Sequence, residues 1–136
     1  MEEYFETNKR RWNELVDIHA ASKEYDLEGF LAGKNSLHRI ELEKIGDVSD
    51  KKLLHLQCHF GLDTISWARL GAKATGVDFS DTAIELAREI AKKTDVDTEF
   101  VCSNIYDLPE NHEGEYDIVF TSYGVLCWLN NIDRWG

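Results

Sequence analysis

The chain has 136 residues, the size of one domain, and a formal net charge of −11. That acidic balance argues against a nucleic-acid partner, since phosphate binding needs Lys and Arg to displace counterions. No apolar run approaches the roughly 20 residues of a membrane span, so no membrane partner is expected. The acidic Met1-Glu2-Glu3 start lacks a signal-peptide pattern, and the three cysteines Cys58, Cys102 and Cys127 have no paired spacing. Reduced thiols and a cytoplasmic setting are the expectation.

Residues 4 to 20 read as a helix, with Phe5, Trp12, Leu15, Val16 and His19 near one face. Residues 21 to 35 read as a loop broken by Gly29 and Gly33. Ser36 then caps a short helix through Ile45 that carries Leu37, Ile40 and Leu42 and ends at Gly46. From there the pattern becomes regular. Lys52-Leu53-Leu54-His55-Leu56 is a short apolar strand, and residues 62 to 70 form a helix stopped by Gly71. A second strand covers residues 73 to 77, followed by a helix capped by Ser80 with Ala83, Ile84, Ala87, Ile90 and Ala91 inward. Residues 98 to 102 and 116 to 121 are a third and a fourth strand. This alternation predicts an α/β fold: a Rossmann-like parallel sheet in the order 3-2-1-4, preceded by N-terminal helices. Two segments are expected, an N-terminal helical cap over 1–46 and a partial cofactor-binding domain over 47–136.

In an open α/β sheet, ligands bind outside the carboxyl ends of the strands. The residues there suit an adenosine-containing ligand. Asp78 ends the second strand and can accept both ribose hydroxyls. The side-chain carbonyl of Asn104, after the third strand, can accept from the adenine amine. The backbone N–H of Ile105 can donate to a ring nitrogen, and Gly61 permits close approach of backbone to ligand.

These segments also resemble a known family. Leu54-His55-Leu56-Gln57-Cys58-His59-Phe60-Gly61-Leu62-Asp63-Thr64, then Trp67-Ala68-Arg69-Leu70-Gly71-Ala72, then Thr75-Gly76-Val77-Asp78-Phe79-Ser80, are similar to bacterial class I S-adenosylmethionine (SAM)-dependent methyltransferases. The branch is one with a Leu-Gln-Cys-His-Phe-Gly loop. Trp12-Asn13 and His19 resemble its N-terminal helix, residues 104 to 109 its adenine-holding segment, and residues 121 to 129 the stretch after its fourth strand. The resemblance implies SAM as cofactor and a small-molecule methyl acceptor, with Gln57, His59, Gly61, Asp78, Phe79, Asn104, Ile105 and Tyr123 at the cofactor. It also implies a protein that continues beyond the fourth strand, so the chain is expected to be the N-terminal part of the fold. The family's general pattern has an acid in the first strand and three glycines after it. Here His55 takes the acid's place, Gln57 and His59 stand at two glycine positions, and Asn104 replaces an Asp.

Plainer readings stand beside these. Asp78 can merely close a capping turn, and Asn104 is a common turn residue. Trp12, Trp67 and Trp128 suit a core, as do Cys102 and Cys127. Tyr123 suits the core or a pocket wall equally. His19 and His59 can serve as a base or as hydrogen-bonded structural residues. A metal site at His55, Cys58 and His59 matches no standard spacing. A nicotinamide-dependent oxidoreductase would want G-x-G-x-x-G where this loop has one glycine. A non-catalytic module that binds adenosyl ligands is the other alternative. Self-association is expected through the outer edge of the fourth strand, whose Ile118-Val119-Phe120 run is apolar.

Overall fold

A computed structural model describes residues 2–22 and 25–135. Thirteen elements follow one another in the described chain. Helix α1 (Glu2–Ala20) leads to short helices α2 (Leu27–Leu31) and α3 (Arg39–Ile45). Then come β1 (Lys52–Leu56), α4 (Leu62–Arg69), β2 (Lys73–Asp78), α5 (Asp81–Lys93) and β3 (Glu99–Cys102). A 3₁₀ turn (Ile105–Asp107), α6 (Leu108–Asn111), β4 (Ile118–Thr121), a second 3₁₀ turn (Leu126–Trp128) and α7 (Ile132–Trp135) complete it.

The four strands form one parallel sheet in the order β3-β2-β1-β4, as the alternation of strands and helices predicts. Each crossover is closed by local chemistry. The Ser80 hydroxyl accepts the N–H of Ala83 at the start of α5. Gly71, at φ +103°, turns the chain out of α4 into β2, and a Cβ there would sit 3.3 Å from the Ser49 backbone. One face of the sheet buries Phe60, Ile65, Ala83, Ile84, Ala87, Ile90 and Phe100, together with Val16 from α1 and Phe30 from α2. A second cluster holds Leu53, Trp67, Ala74 and Phe120 with Leu37 and Val48. The N-terminal segment therefore contributes core residues on both sides of α4.

The segment before β1 departs from expectation in three places. Of the loop expected over 21 to 35, residues 23 and 24 lie outside the described residues, but 27 to 31 are helical. Asp26 starts that helix by accepting the Gly29 N–H, and Lys34 pairs with the same carboxylate. Ser36 caps nothing: its hydroxyl donates to Asp63 at 2.6 Å, and its N–H donates to Ser66 Oγ. Helix α3 instead begins at Arg39, where the Glu41 carboxylate accepts the His38 N–H at 2.6 Å. With that register Leu37 and Glu41 turn inward, while Ile40 is 57% exposed.

Candidate functional site

The loop joining β1 to α4 holds one glycine and yet keeps, at three positions, the backbone that glycine favours. Gln57 and His59 sit at φ +56° and +55°, and Gly61 at +80°. A non-glycine residue in that region costs roughly 1–2 kcal/mol, so the surroundings must hold it there. Three contacts do. The Cys58 N–H donates to Val77 O at 2.9 Å, the His59 N–H donates to Asp78 Oδ2 at 2.9 Å, and His59 Nε2 lies 2.9 Å from His19 Nδ1 on α1. At Gly61 the requirement comes from the core as well: a Cβ would meet the Phe100 ring at 2.6 Å.

Asp78 sits at the carboxyl end of β2, only 7% exposed. Its Oδ1 accepts the Ser80 N–H and its Oδ2 the His59 N–H, both at 2.9 Å. Burial pushes the carboxyl up to about 6, while the Ser80, His59 and Phe79 N–H groups pull it the other way. The turn-closing geometry is thus present. Each carboxylate oxygen still has a second lone pair for a ligand hydroxyl. Asn104 likewise closes a turn, accepting the Tyr106 N–H at 3.1 Å, and opens the 3₁₀ turn in which Ile105 stands.

All eight residues expected at the cofactor, Gln57, His59, Gly61, Asp78, Phe79, Asn104, Ile105 and Tyr123, line one cavity of about 860 Å³. That volume lies within the roughly 300–1,000 Å³ typical of ligand sites. Residues from α1, among them Phe5, Asn8 and Trp12, wall one side, and Phe5 packs on Phe79 at 5.5 Å. Tyr123 is 64% exposed on the cavity rim, edge-on to His38 at 5.7 Å, so it belongs to the wall and not to the core. Trp67 is fully buried, but Trp12 and Trp128 meet edge-to-face at 5.1 Å on the cavity wall, contrary to a core role for all three. Cys102 and Cys127 are exposed, and only Cys58 is buried, so packing explains one cysteine of the three.

The histidines divide by partner. His19 and His59 bond to one another inside an aromatic cage of Trp12, Tyr25 and Phe60. Burial and the neighbouring His19 hold His59 down at about 3, which keeps its imidazole neutral. His55, 1% exposed in β1, bonds Thr64 Oγ1 through Nδ1 at 2.7 Å, and burial holds it down at about 3. His55, Cys58 and His59 thus serve different partners, and among the described residues no group of three His, Cys, Asp or Glu side chains is placed to hold a metal.

Sequence reasoning missed Asp63, Ser36 and His38 as lining residues of the same cavity. Asp63 stands in the first turn of α4, where burial pushes its carboxyl up to about 6 and the Ser36 hydroxyl pulls the other way. An acid two residues after the last loop glycine was the available signal.

The arrangement has the form of a nucleoside site built at the carboxyl ends of a parallel sheet. Its buried Gln57 Oε1 and His55 Nε2 have no hydrogen-bond partner among the described residues, so polar capacity remains for a ligand with more than an adenosine to bind. A parallel sheet in this order with an acid closing its second strand is the arrangement of a Rossmann-like α/β fold. The methyltransferase domain family matches residues 53–135. A ubiquinone biosynthesis O-methyltransferase from Yersinia pestis is 34% identical over 106 residues, covering 73% of this chain and 43% of that protein. The YcgJ protein of Bacillus subtilis superposes with a TM-score of 0.62 at 15% identity, covering 79% of this chain and 43% of that one. Magnesium protoporphyrin IX methyltransferase from Synechocystis PCC 6803, solved with bound S-adenosylhomocysteine (SAH), gives a TM-score of 0.51 at 17% identity, covering 81% of this chain and 57% of that one. The chain belongs to the methyltransferase domain family, within the class I SAM-dependent methyltransferases. It spans 43% of the length of the curated relative.

Proposed function

We propose that this chain binds SAM in the cavity at the carboxyl ends of β1, β2 and β3 and forms the cofactor-binding part of an enzyme that methylates a small molecule. The observation that carries this reading is the convergence of all eight expected residues on one cavity, with Asp78 at its base. Asp78 accepts the ribose hydroxyls on its remaining lone pairs, and Asn104 and Ile105 face the adenine. Phe79, backed by Phe5, supplies an apolar wall beside them. Bound there, SAM supplies a methyl group on an already activated sulfonium. The chain's part is to hold the reacting centres in line, which can itself lower a barrier by several kcal/mol. The Trp12 and Trp128 rings and α1 shield that region from water.

The O-methyltransferase name of the curated relative supports an oxygen nucleophile on the acceptor. Residues 1–46 act as a helical cap and 47–136 as the cofactor-binding unit, in a cytoplasmic protein. Among the described residues no helix is long and apolar enough to cross a membrane. β4 pairs only with β1 among the described residues, and Val119 on it is 61% exposed. Such an edge recruits a second copy of the chain. Calorimetric titration with SAM and with NAD tests the reading. Micromolar SAM binding with no NAD binding supports it, and the reverse preference, or binding of neither, overturns it. Methyl transfer to added phenols or catechols, measured by incorporation of labelled methyl into the product, separates an enzyme from a module that only binds.

A further inference from the structure

Two indole rings, one from α1 and one from the 3₁₀ turn after β4, meet at a corner of the cavity. Trp12 and Trp128 stand edge-to-face with ring centres 5.1 Å apart, and both line the cavity. Trp12 also lies edge-on to the His59 ring at 5.1 Å. His59 in turn donates its backbone N–H to Asp78 Oδ2 at 2.9 Å. The corner is therefore joined through a single residue to the carboxylate assigned to the ribose. Both indoles are half-buried, unlike Trp67, which the core encloses.

The charges around this corner have one sign to spare. Lys34 and Arg134 line the cavity, but each is committed to an acid: Lys34 to Asp26 at 3.0 Å and Arg134 to Asp107 at 3.6 Å. Among the described residues no Lys or Arg pairs with Asp63 or Asp78, which line the same cavity. His55 and His59 on the wall are kept neutral by burial. Carboxylates without a cation beside them and the negative faces of indole rings both attract positive charge. A weakly hydrated cation gains from both, and a neutral ligand of the same shape gains from neither.

We propose that Trp12 and Trp128 form a corner that recognises the sulfonium charge, so that this site selects the charged methyl donor over its neutral demethylated product. The assignment rests on the SAM-binding reading above. The donor's sulfur is bonded to the exocyclic carbon of the ribose, and the contact of Trp12 with His59 closes the cavity beside the acid that holds that sugar. The rings hold the sulfonium by its charge and lose that hold on the thioether left after methyl transfer, which favours exchange of spent donor for fresh. The competing role is structural: the indoles tie α1 to the segment after β4, with Asn8 Nδ2 reaching Trp128 O at 3.5 Å beside them.

Ligand charge separates the two roles. SAM, SAH and sinefungin, which carries a charged amine in place of the sulfonium, are titrated calorimetrically into the chain, into Trp12→Leu and into Trp128→Leu. In the unaltered chain SAM and sinefungin bind about fivefold or more tighter than SAH, the scale of a cation on partly desolvated rings. In the leucine variants that preference falls to about twofold or less, and in Trp12→Phe, which keeps a ring with a weaker face, it is intermediate. A purely structural role weakens all three ligands alike and leaves the preference unchanged, which overturns the assignment while SAM binding stands. SAH binding as tightly as SAM to the unaltered chain overturns it equally. Failure of the unaltered chain to bind any of the three overturns both readings. Should Trp12→Leu melt out of the fold, Trp12→Phe and Trp128→Leu carry the same comparison, and an unchanged preference in both overturns the assignment.

Discussion

The backbone N–H of His59 donates to Asp78 Oδ2 at 2.9 Å. This bond makes one carboxylate serve two purposes. It anchors a loop whose His59 stands in the left-handed region, and it leaves the remaining lone pairs turned to the cavity. The acid at the end of β2 is therefore part of the loop's structure before any ligand arrives.

Asp78→Ala is expected to weaken SAM or SAH binding at least tenfold, because charge-assisted ribose contacts are worth about 1.5–3 kcal/mol. It should also lower the melting temperature, since the Ser80 and His59 N–H groups lose their acceptor. Calorimetry and a thermal melt on the same preparation read both effects. Undiminished affinity would place the ribose elsewhere.

Gly61→Ala should destabilise the fold by about 2 kcal/mol or more, combining overpacking with a left-handed backbone. The added Cβ would lie 2.6 Å from the Phe100 ring, at φ +80°. A urea titration showing no shift in midpoint would contradict the packing described for that loop.

Asp95→Gly is expected to act in the opposite direction. Helix α5 ends with the Asp95 N–H on Lys92 O and the Val96 N–H on Ala91 O, a paired C-terminal cap that places Asp95 at φ +54°. Glycine relieves that strain, for a gain of up to about 1 kcal/mol. The position is exposed and does not line the cavity, so SAH affinity should stay unchanged. A lower melting temperature would refute this.

Two carboxyls of the cavity wall, the half-buried Asp63 and the buried Asp78, titrate at about 6 in the fold against a reference of 3.8. Between those values the folded state binds more protons than the unfolded state. These two groups therefore make the fold less stable as pH rises through that window, and their favourable contribution is complete only below the unfolded value. Asp63→Asn should flatten that part of a stability-against-pH curve. SAH affinity should run the other way and fall as pH drops below about 6, because Asp78, the ribose acceptor of the proposed site, loses its charge there. An affinity flat from pH 5 to pH 8 would argue against a role for its carboxylate.

Association through the β4 edge predicts a species larger than the monomer in light scattering. Val119→Lys places a charge on that strand, where Val119 is 61% exposed, and should shift the population toward monomer. A monomer for the unaltered chain at high concentration would refute the edge assignment.

The sequence by itself determined the four strands and the helices α4 and α5 between them, because local chemistry sets them. Apolar runs of strand length, Ser80 at a helix start and Gly71 at a helix end each act over a few residues. It also marked Asp78, Phe79, Asn104 and Ile105, because a parallel sheet puts the residues after its strands on one edge. Tertiary structure decided what depends on separate elements meeting. Ser36 reads as a helix cap until α4 brings Asp63, 27 residues away, within reach of its hydroxyl. His59 reads as a possible base until His19, 40 residues earlier, occupies its ring nitrogen. A hydroxyl or imidazole takes whichever partner packing delivers, and the chain's local pattern carries no record of that choice. For the same reason the half-buried, unpaired charge at Asp63 became visible only when the wall around it was complete.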